Sequence, residues 1–433
     1  MHLLNNFLKY ASMNILGMLG LSTILIADTF FIANGIGTNG LAALNLALPI
    51  YSLLQGTGLM IGMGAGIKYS IHRHDSQEYI NKIFTNTIYL VTFISLILIL
   101  VALFFSDAIV SLLGADESVF DMTKEYLKTI LILSPAFLLN NVLLCFIRND
   151  GCPQLSMAAM LTGSISTVVL EYILIFILKT GIFGAAAAAG LVHIISIIVL
   201  SFYFLLKKNK FHISKCKLDK NIIKDINFNG IPSLISEVSS GVVIIVFNYI
   251  ILKQQGNVGI AAYGIIANIS LVIVAIYNGL AQGIQPIISS NYGDHIKSNV
   301  KEILKYAIIS LIIISVLIYS SIFIFSSQIT ESFNGEGNDL LRSIAIPGLK
   351  LYFLACPFVG FNILISNYFT STEHAKPAHI ISILRGFVII IPSAFILSNL
   401  LSNFGIWFAF PVTEFLVTVI SILLYIIYSK RKV

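Results

Sequence analysis

Apolar stretches of about 20 residues or more succeed one another along almost the whole chain, separated by short polar connections. Twenty residues of helix cover the ~30 Å hydrocarbon core of a bilayer, whereas barrel strands would be ~10-residue alternating segments. The composition agrees, with 57% hydrophobic and only 11% charged residues over 433 positions. A water-soluble fold of this length needs roughly twice that charge to cover its surface. The chain therefore reads as an all-α integral membrane protein. Twelve spans are expected, at about 11–34, 41–71, 83–105, 121–147, 154–178, 183–206, 230–254, 260–290, 299–326, 342–370, 377–399 and 404–428. The first is too long, and too polar in its middle, for a cleaved signal segment, so it is expected to remain as a span.

Charge sets the orientation. With the N-terminus in the cytoplasm, 20 of the 26 Lys and Arg residues fall on the cytoplasmic side. Connections 68–82, 207–224 (seven lysines), 297–305 and the tail Lys430-Arg-Lys432 are basic, and they alternate with acidic ones at 106–121 and at 331–339, which includes Glu336. Short basic loops stay inside, so a multi-pass protein of the plasma or inner membrane is expected, with both termini cytoplasmic. The pI of about 8.9 then describes topology and needs no nucleic-acid partner.

The lysine-rich segment 208–224 divides the chain into an N-lobe at 1–207 (helices 1–6) and a C-lobe at 225–433 (helices 7–12). The halves resemble each other. Leu41-Ala-Ala43 has a counterpart in Ile260-Ala-Ala262, Gly62-Met-Gly-Ala-Gly66 in Gly279-Leu-Ala-Gln-Gly283, and Pro135-Ala-Phe-Leu-Leu-Asn140 in Pro357-Phe-Val-Gly-Phe-Asn362. Six spans per half is an even number, so the copies insert in the same orientation and make a parallel repeat with a cleft between two bundles.

Four carboxylates lie well inside expected spans: Asp28, Glu171, Glu237 and Glu414. An aspartate near mid-depth costs roughly 2.5–3.5 kcal/mol on insertion scales, so it needs a compensating role. A carboxylate that takes either a proton or a cationic ligand couples the two by competition, which is a minimal antiporter. Thr167 falls one turn before Glu171 on the same face. Each residue also has a structural reading. Glu171 and Asp28 serve equally as protonated interhelical hydrogen-bonding groups, Glu237 as a favourable charge in the first turns of its helix, and Glu414 as a packing-network member. His193 stands as a proton relay or a satisfied core histidine. No Lys or Arg is expected at the same depth, Arg385 being the nearest. The cysteines show no metal or redox spacing, and no nucleotide-binding, metalloprotease or nucleophile-elbow motif is present, so the chain reads as no enzyme. No cofactor or bound metal is expected beyond a coupling proton or sodium ion.

Taken together, Asp28-Thr-Phe-Phe-Ile-Ala33 with Gly40-Leu-Ala-Ala43, Gly184-Ala-Ala186, Gly230-Ile-Pro-Ser233, Gln285-Pro286 with Asn291-Tyr-Gly293, and Leu384-Arg-Gly386 resemble the multidrug and toxic compound extrusion (MATE) transporters. The resemblance is nearest to the bacterial DNA-damage-inducible and multidrug exporter branch. It implies two six-helix lobes that export cationic amphipathic compounds against a proton or sodium gradient by alternating access, acting as a monomer. It places Asp28, Glu171 and Thr167 at the family's cation site, and with the reading of the residues themselves the candidate cation-coupling and substrate-binding set is Asp28, Glu171, Thr167 and His193, with Glu237, Asn248, Asn362 and Glu414 as secondary positions. Ala189 replaces an expected threonine, which removes a side-chain oxygen and favours a proton over sodium at Asp28 and Glu171. A flippase for lipid or lipid-linked sugar is the alternative within the same architecture.

Overall fold

The computed structural model describes residues 2–335, 337–401 and 404–430, so Glu336, Arg431 and Lys432 lie outside the described residues. The described residues are almost entirely helical. In chain order the helices are α1 His2–Gly35, α2 Thr38–Ile71, α3 Gln77–Phe104, α4 Ser106–Leu112, α5 Phe120–Ile132, α6 Ser134–Asn149, α7 Pro153–Glu171 and α8 Gly181–Leu205. They continue with α9 Lys220–Gly293, α10 Lys297–Phe333, α11 Asp339–Tyr352, α12 Cys356–Ser371, α13 Ala375–Ile383, α14 Ile390–Leu400 and α15 Gly405–Lys430.

Helix α9 has 74 residues, which at 1.5 Å per residue is about 110 Å, far more than one crossing needs. Gly256 divides it, with φ 63° and ψ −159°, a conformation essentially confined to glycine. The sequence places a loop near 255–259, and the chain instead reverses on this single residue. Counting α9 as two spans across Gly256 and each bent or interrupted pair as one, the described residues make twelve crossings. The fourth bends by 47° between α5 and α6, and the tenth breaks in a 3₁₀ turn at Phe353–Ala355. Pro135 and Pro357 stand at the first turn of the helix that follows each break, where a missing N–H costs nothing. Spans five and eleven are each interrupted by a π-helical turn, at Tyr172–Ile177 and Leu384–Val388.

One large core is built from residues of the C-terminal half, between Phe247 and Val417, joined by Phe7 and Ala11 of α1. Two others draw on residues between Ile32 and Ile226. Ile222 and Ile226, in the first turns of α9, therefore pack with the N-terminal half.

The two halves are pressed together at the basic-loop end and diverge toward the acidic-loop end. Between α2 and α9, a Cβ placed on Gly64 would lie 1.9 Å from the Ile226 carbonyl oxygen, and one on Gly230 would lie 1.9 Å from that of Met60. The same measure rises to 3.0 Å at Gly56 against Glu237 and 4.0 Å at Gly241 against Ser52. Between α1 and α9 it is 2.6 Å at Gly279 and 2.7 Å at Gly283, while Gly264 meets nothing. Glycines thus let backbones touch where the lobes meet. The result is a V-shaped cleft.

Polar groups reinforce the closed end. Asn14 donates to the Gly279 carbonyl (2.9 Å) and accepts from Arg148 (2.7 Å). The Asn149 and Gln285 amides bond reciprocally, both at 3.1 Å. Lys68 pairs with Asp225 at 2.6 Å and Arg73 with Asp294 at 2.7 Å. Outside this seal a cavity of about 460 Å³ is lined by Tyr10, Tyr69, Arg73, Asn149, Asp150 and Asn299 among others, and none of the intramembrane acids borders it.

Candidate functional site

Asp28 and Glu171 come together because α1 and α7 run side by side in parallel. Gly17 faces Met160, Gly20 faces Leu161 and Ser164, and Gly35 faces Ile175 and Phe176. Interpolating along these contacts puts Asp28 level with the last turn of α7, where Glu171 stands. The π-helical turn starts at the next residue, Tyr172. Such a turn adds one residue to the helical circuit and re-aims the side chains around it, a feature frequent at functional sites. Asp28 lies two turns from the acidic-loop end of α1, so it sits nearer the open side of the cleft than the mid-depth its sequence position suggests.

The pair is deeply enclosed. Asp28 is 2% exposed and Glu171 0%. None of their four carboxyl oxygens has a hydrogen-bond partner, and the two carboxyl groups lie within interaction range of each other. Two acceptors join only through a proton held between them. Tyr51 of α2 and Tyr126 of α5 lie within electrostatic reach of both acids, and Tyr51 also reaches Glu237. Tyr51 stands out in the sequence as one of several aromatics able to line a cavity for organic cations, whereas Tyr126 carries no signal that separates it from other membrane aromatics.

The remaining candidates are placed differently. Thr167 is fully buried one turn before Glu171, but its hydroxyl is spent on the Gly163 carbonyl of its own helix (3.2 Å). His193 is buried against the Phe137 ring, 4.0 Å between centroids, with Nδ1 3.0 Å from the Asn140 amide. It therefore joins α8 to α6 and makes no bond to either acid. Glu237 is partly buried where α2 and α9 begin to separate, and it has no ion pair among the described residues. Asn248 is partly buried two turns from Gly241, farther along the same helix.

Glu414 and Asn362 belong to a second, satisfied cluster. Glu414 Oε1 accepts from Arg385 Nε (3.0 Å) and Nη2 (2.9 Å), and Oε2 accepts from Asn362 Nδ2 (2.7 Å). Asn362 also donates to the Glu414 carbonyl (2.9 Å) and accepts from Thr418 (3.2 Å) and Ser421 (3.1 Å). The expectation that no cation stands at the depth of the acids is therefore corrected. Arg385 sits in the π-helical turn of span eleven, which turns its guanidinium onto α15. Asn362–Glu414 joins spans ten and twelve as Asn140–His193 joins spans four and six, about 222 positions earlier. The polar bridge follows the internal repeat while its chemistry differs between the halves.

The MatE family model matches this chain in two stretches, residues 14–173 and 232–396, one in each half and together well over half its length. The multidrug export protein MepA of Staphylococcus aureus is 28% identical over 410 residues, covering 94% of this chain and 89% of that protein. A MATE crystal structure in complex with MaL6 superposes with a TM-score of 0.91 at 21% identity, over 96% of this chain and 94% of that one. The Vibrio cholerae MATE transporter VcmN superposes with a TM-score of 0.90 at 18% identity, over 100% and 98%. The two-lobed fold read from the repeat is that of these structures, and the chain belongs to the MATE family of membrane transporters.

Proposed function

We propose that this transporter exports cationic, amphipathic organic compounds in exchange for protons, with Asp28 and Glu171 as the coupling site. The observation that carries the reading is the pair itself, two enclosed carboxyl groups facing each other with no donor offered to any of their oxygens. A proton satisfies the pair, and losing it leaves buried negative charge that only another cation can compensate. Binding of proton and of cationic substrate is then mutually exclusive. The substrate class follows the name of the relative MepA and the sign of the charge in the cleft. Sodium fits less well, since it needs several oxygen ligands and Ala189 supplies no side-chain oxygen, which leaves Thr167 as the one neutral side-chain ligand expected beside the acids. Glu237, with Tyr51 opposite it, is the acid that a substrate ammonium meets at the floor of the cleft, and Asn248 lies farther up the same helix. His193 acts through its bond to Asn140 as a packing and positioning group.

The V shape is one end of an alternating-access cycle, open toward the acidic-loop side. With the basic loops in the cytoplasm of a cell-membrane protein, that side is external. No observation favours a flippase for anionic lipids, because Arg385, the basic group beside the cleft-forming helices, is engaged by Glu414.

The test is transport in proteoliposomes with an imposed pH gradient, a fluorescent monovalent organic cation as substrate, and parallel runs with and without sodium. Flux driven by the gradient alone, lost in Asp28→Asn and Glu171→Gln, is the expected result. Sodium-dependent flux, or full flux in Asp28→Asn, would overturn the assignment.

A further inference from the structure

The lysine-rich connection between α8 and α9 is no free linker. Residues 208–219 lie along the first turns of α3, whose side chains at Gln77, Asn81, Thr85 and Asn86 catch its backbone. Gln77 donates to the Lys210 carbonyl (2.5 Å), and the amides of His212, Ser214 and Asp219 donate to Asn81 (2.8 Å), Thr85 (3.0 Å) and Asn86 (2.7 Å). The Lys210 amide donates to Asp150 (2.9 Å), which the Tyr69 and Tyr203 hydroxyls also reach. Phe211, 0% exposed, anchors the segment among Tyr69, Phe84, Phe146 and Phe204.

This strap holds its charge outward. Lys207, Lys208, Lys210, Lys215, Lys217, Lys220 and Lys224 are all exposed. Its acids do not neutralise them, because Asp219 is taken by Lys82 of α3 and Asp225 by Lys68 of α2. Among the lysines stand apolar side chains that also face out, Ile213 at 70% and Leu218 at 57% exposure. The strap leaves the bilayer directly from α8, whose last residue Leu205 and the following Leu206 are 71% and 62% exposed, as lipid-facing leucines would be. Lysines with interleaved apolar groups at the edge of a bilayer attract anionic headgroups and insert their apolar members beside them.

We propose that the strap is a binding surface for anionic phospholipid in the leaflet at the basic-loop end, preformed by its docking on α3. Docking means that little chain entropy is lost when lipid binds, in contrast to a flexible polybasic tail. The surface is independent of the coupling site, so the proposal stands or falls separately from the proton reading.

The experiment uses the full chain in neutral detergent, with short-chain fluorescent phosphatidylglycerol and phosphatidylcholine as probes. Wild type is expected to bind phosphatidylglycerol about tenfold more tightly, with the preference shrinking as salt rises from about 0.05 to about 0.5 M. The quadruple variant K208Q/K215Q/K217Q/K220Q loses the preference, and the corresponding arginine variant keeps it. Glycerol phosphate at matched concentration fails to displace the lipid. A salt-independent preference, a preference unchanged in a monodisperse glutamine variant, or displacement by glycerol phosphate as effective as by lipid would overturn the proposal.

Discussion

The Glu414–Arg385 pair allows the sharpest test of what holds the C-terminal half together. Glu414 is 1% exposed, and both its oxygens are engaged, Oε1 by Arg385 and Oε2 by Asn362. In Arg385→Met the carboxylate keeps one neutral donor and loses its counter-ion. Breaking a buried pair from one side costs about 3–5 kcal/mol because the remaining charge is uncompensated. The reciprocal Glu414→Leu leaves a guanidinium whose side chain is 16% exposed. Water reaches it, so the loss is smaller, of the order of a charged hydrogen bond at roughly 1.5–3 kcal/mol. The double variant removes both charges, and Asn362 still donates to the backbone carbonyl of residue 414, now at 2.9 Å. Its cost is expected to be within about 1 kcal/mol of wild type.

The measurement is the unfolding midpoint of purified protein in detergent, by fluorescence-detected size exclusion after heating. The order expected is wild type close to the double variant, then Glu414→Leu, then Arg385→Met. Transport per folded molecule should be retained in the double variant, since the pair holds three helices and faces no coupling acid. A double variant as unstable as Arg385→Met would refute the unpaired-charge argument. A stable double variant without transport would refute the structural role.

Gly64→Ala and Gly230→Ala each drive a methyl group to 1.9 Å from a backbone carbonyl oxygen, which no rotamer change relieves. The closed end should open at a cost of about 1–3 kcal/mol or more, seen as increased thiol labelling of Cys145, which is buried beside Gly62 and Gly66; unchanged labelling would contradict the close approach. Gln285→Ala removes the reciprocal pair while the Asn149 amide keeps the Cys145 carbonyl and the Ser70 hydroxyl, so it should give the same signature more weakly, about 0.5–1.5 kcal/mol. For the strap, the hydrogen bond from Lys82 and the amides of Asn221 and Ile222 hold the Asp219 carboxyl below its ordinary value of 3.8. A depressed folded value means that its contribution to docking is present above that ordinary value and is lost as pH falls through the folded one. The protection of amides 210–219 against hydrogen exchange, taken relative to the intrinsic rate at each pH, should therefore fall below pH about 4 in wild type and show a smaller step in Asp219→Asn.

Hydropathy made the spans legible, because a bilayer imposes one length and one polarity on every crossing. It could not show that spans seven and eight join through one glycine, since residues on both sides of Gly256 are as polar as a loop, with Gln254, Gln255 and Asn257 in a row. Matching glycines placed α1 beside α7 only once their partners were seen, although both acids stood out by their cost. Arg385 was misjudged because its depth was counted along a regular helix from residue 377, and the π-helical turn changes where its side chain points. The seal at the basic-loop end was hidden for a different reason. Asn149 and Gln285 are 136 positions apart and belong to different halves, and nothing in either segment names the other.

The two halves handle buried charge in opposite ways, and this bears on where transport energy enters. At Glu414 in the C-terminal half the carboxylate has a counter-ion and an amide, so the arrival of another cation would have to displace partners already in place. In the N-terminal half Asp28 and Glu171 have only each other. A proton or an organic cation reaching them removes a desolvation penalty that nothing else in the fold offsets, and such a ligand shifts a conformational equilibrium by as much as its affinity differs between the two states. Under the proposed proton coupling, gradient energy acts on α1 and α7, and the motion it drives passes to the other half through the glycine contacts of α1 and α2 with α9. Charge-neutral repair of the pair, Asp28→Asn with Glu171→Gln, should uncouple the cycle without unfolding the protein. If that double variant still transported against a gradient, the coupling acid would have to be Glu237, which is the remaining intramembrane carboxylate without an ion pair among the described residues.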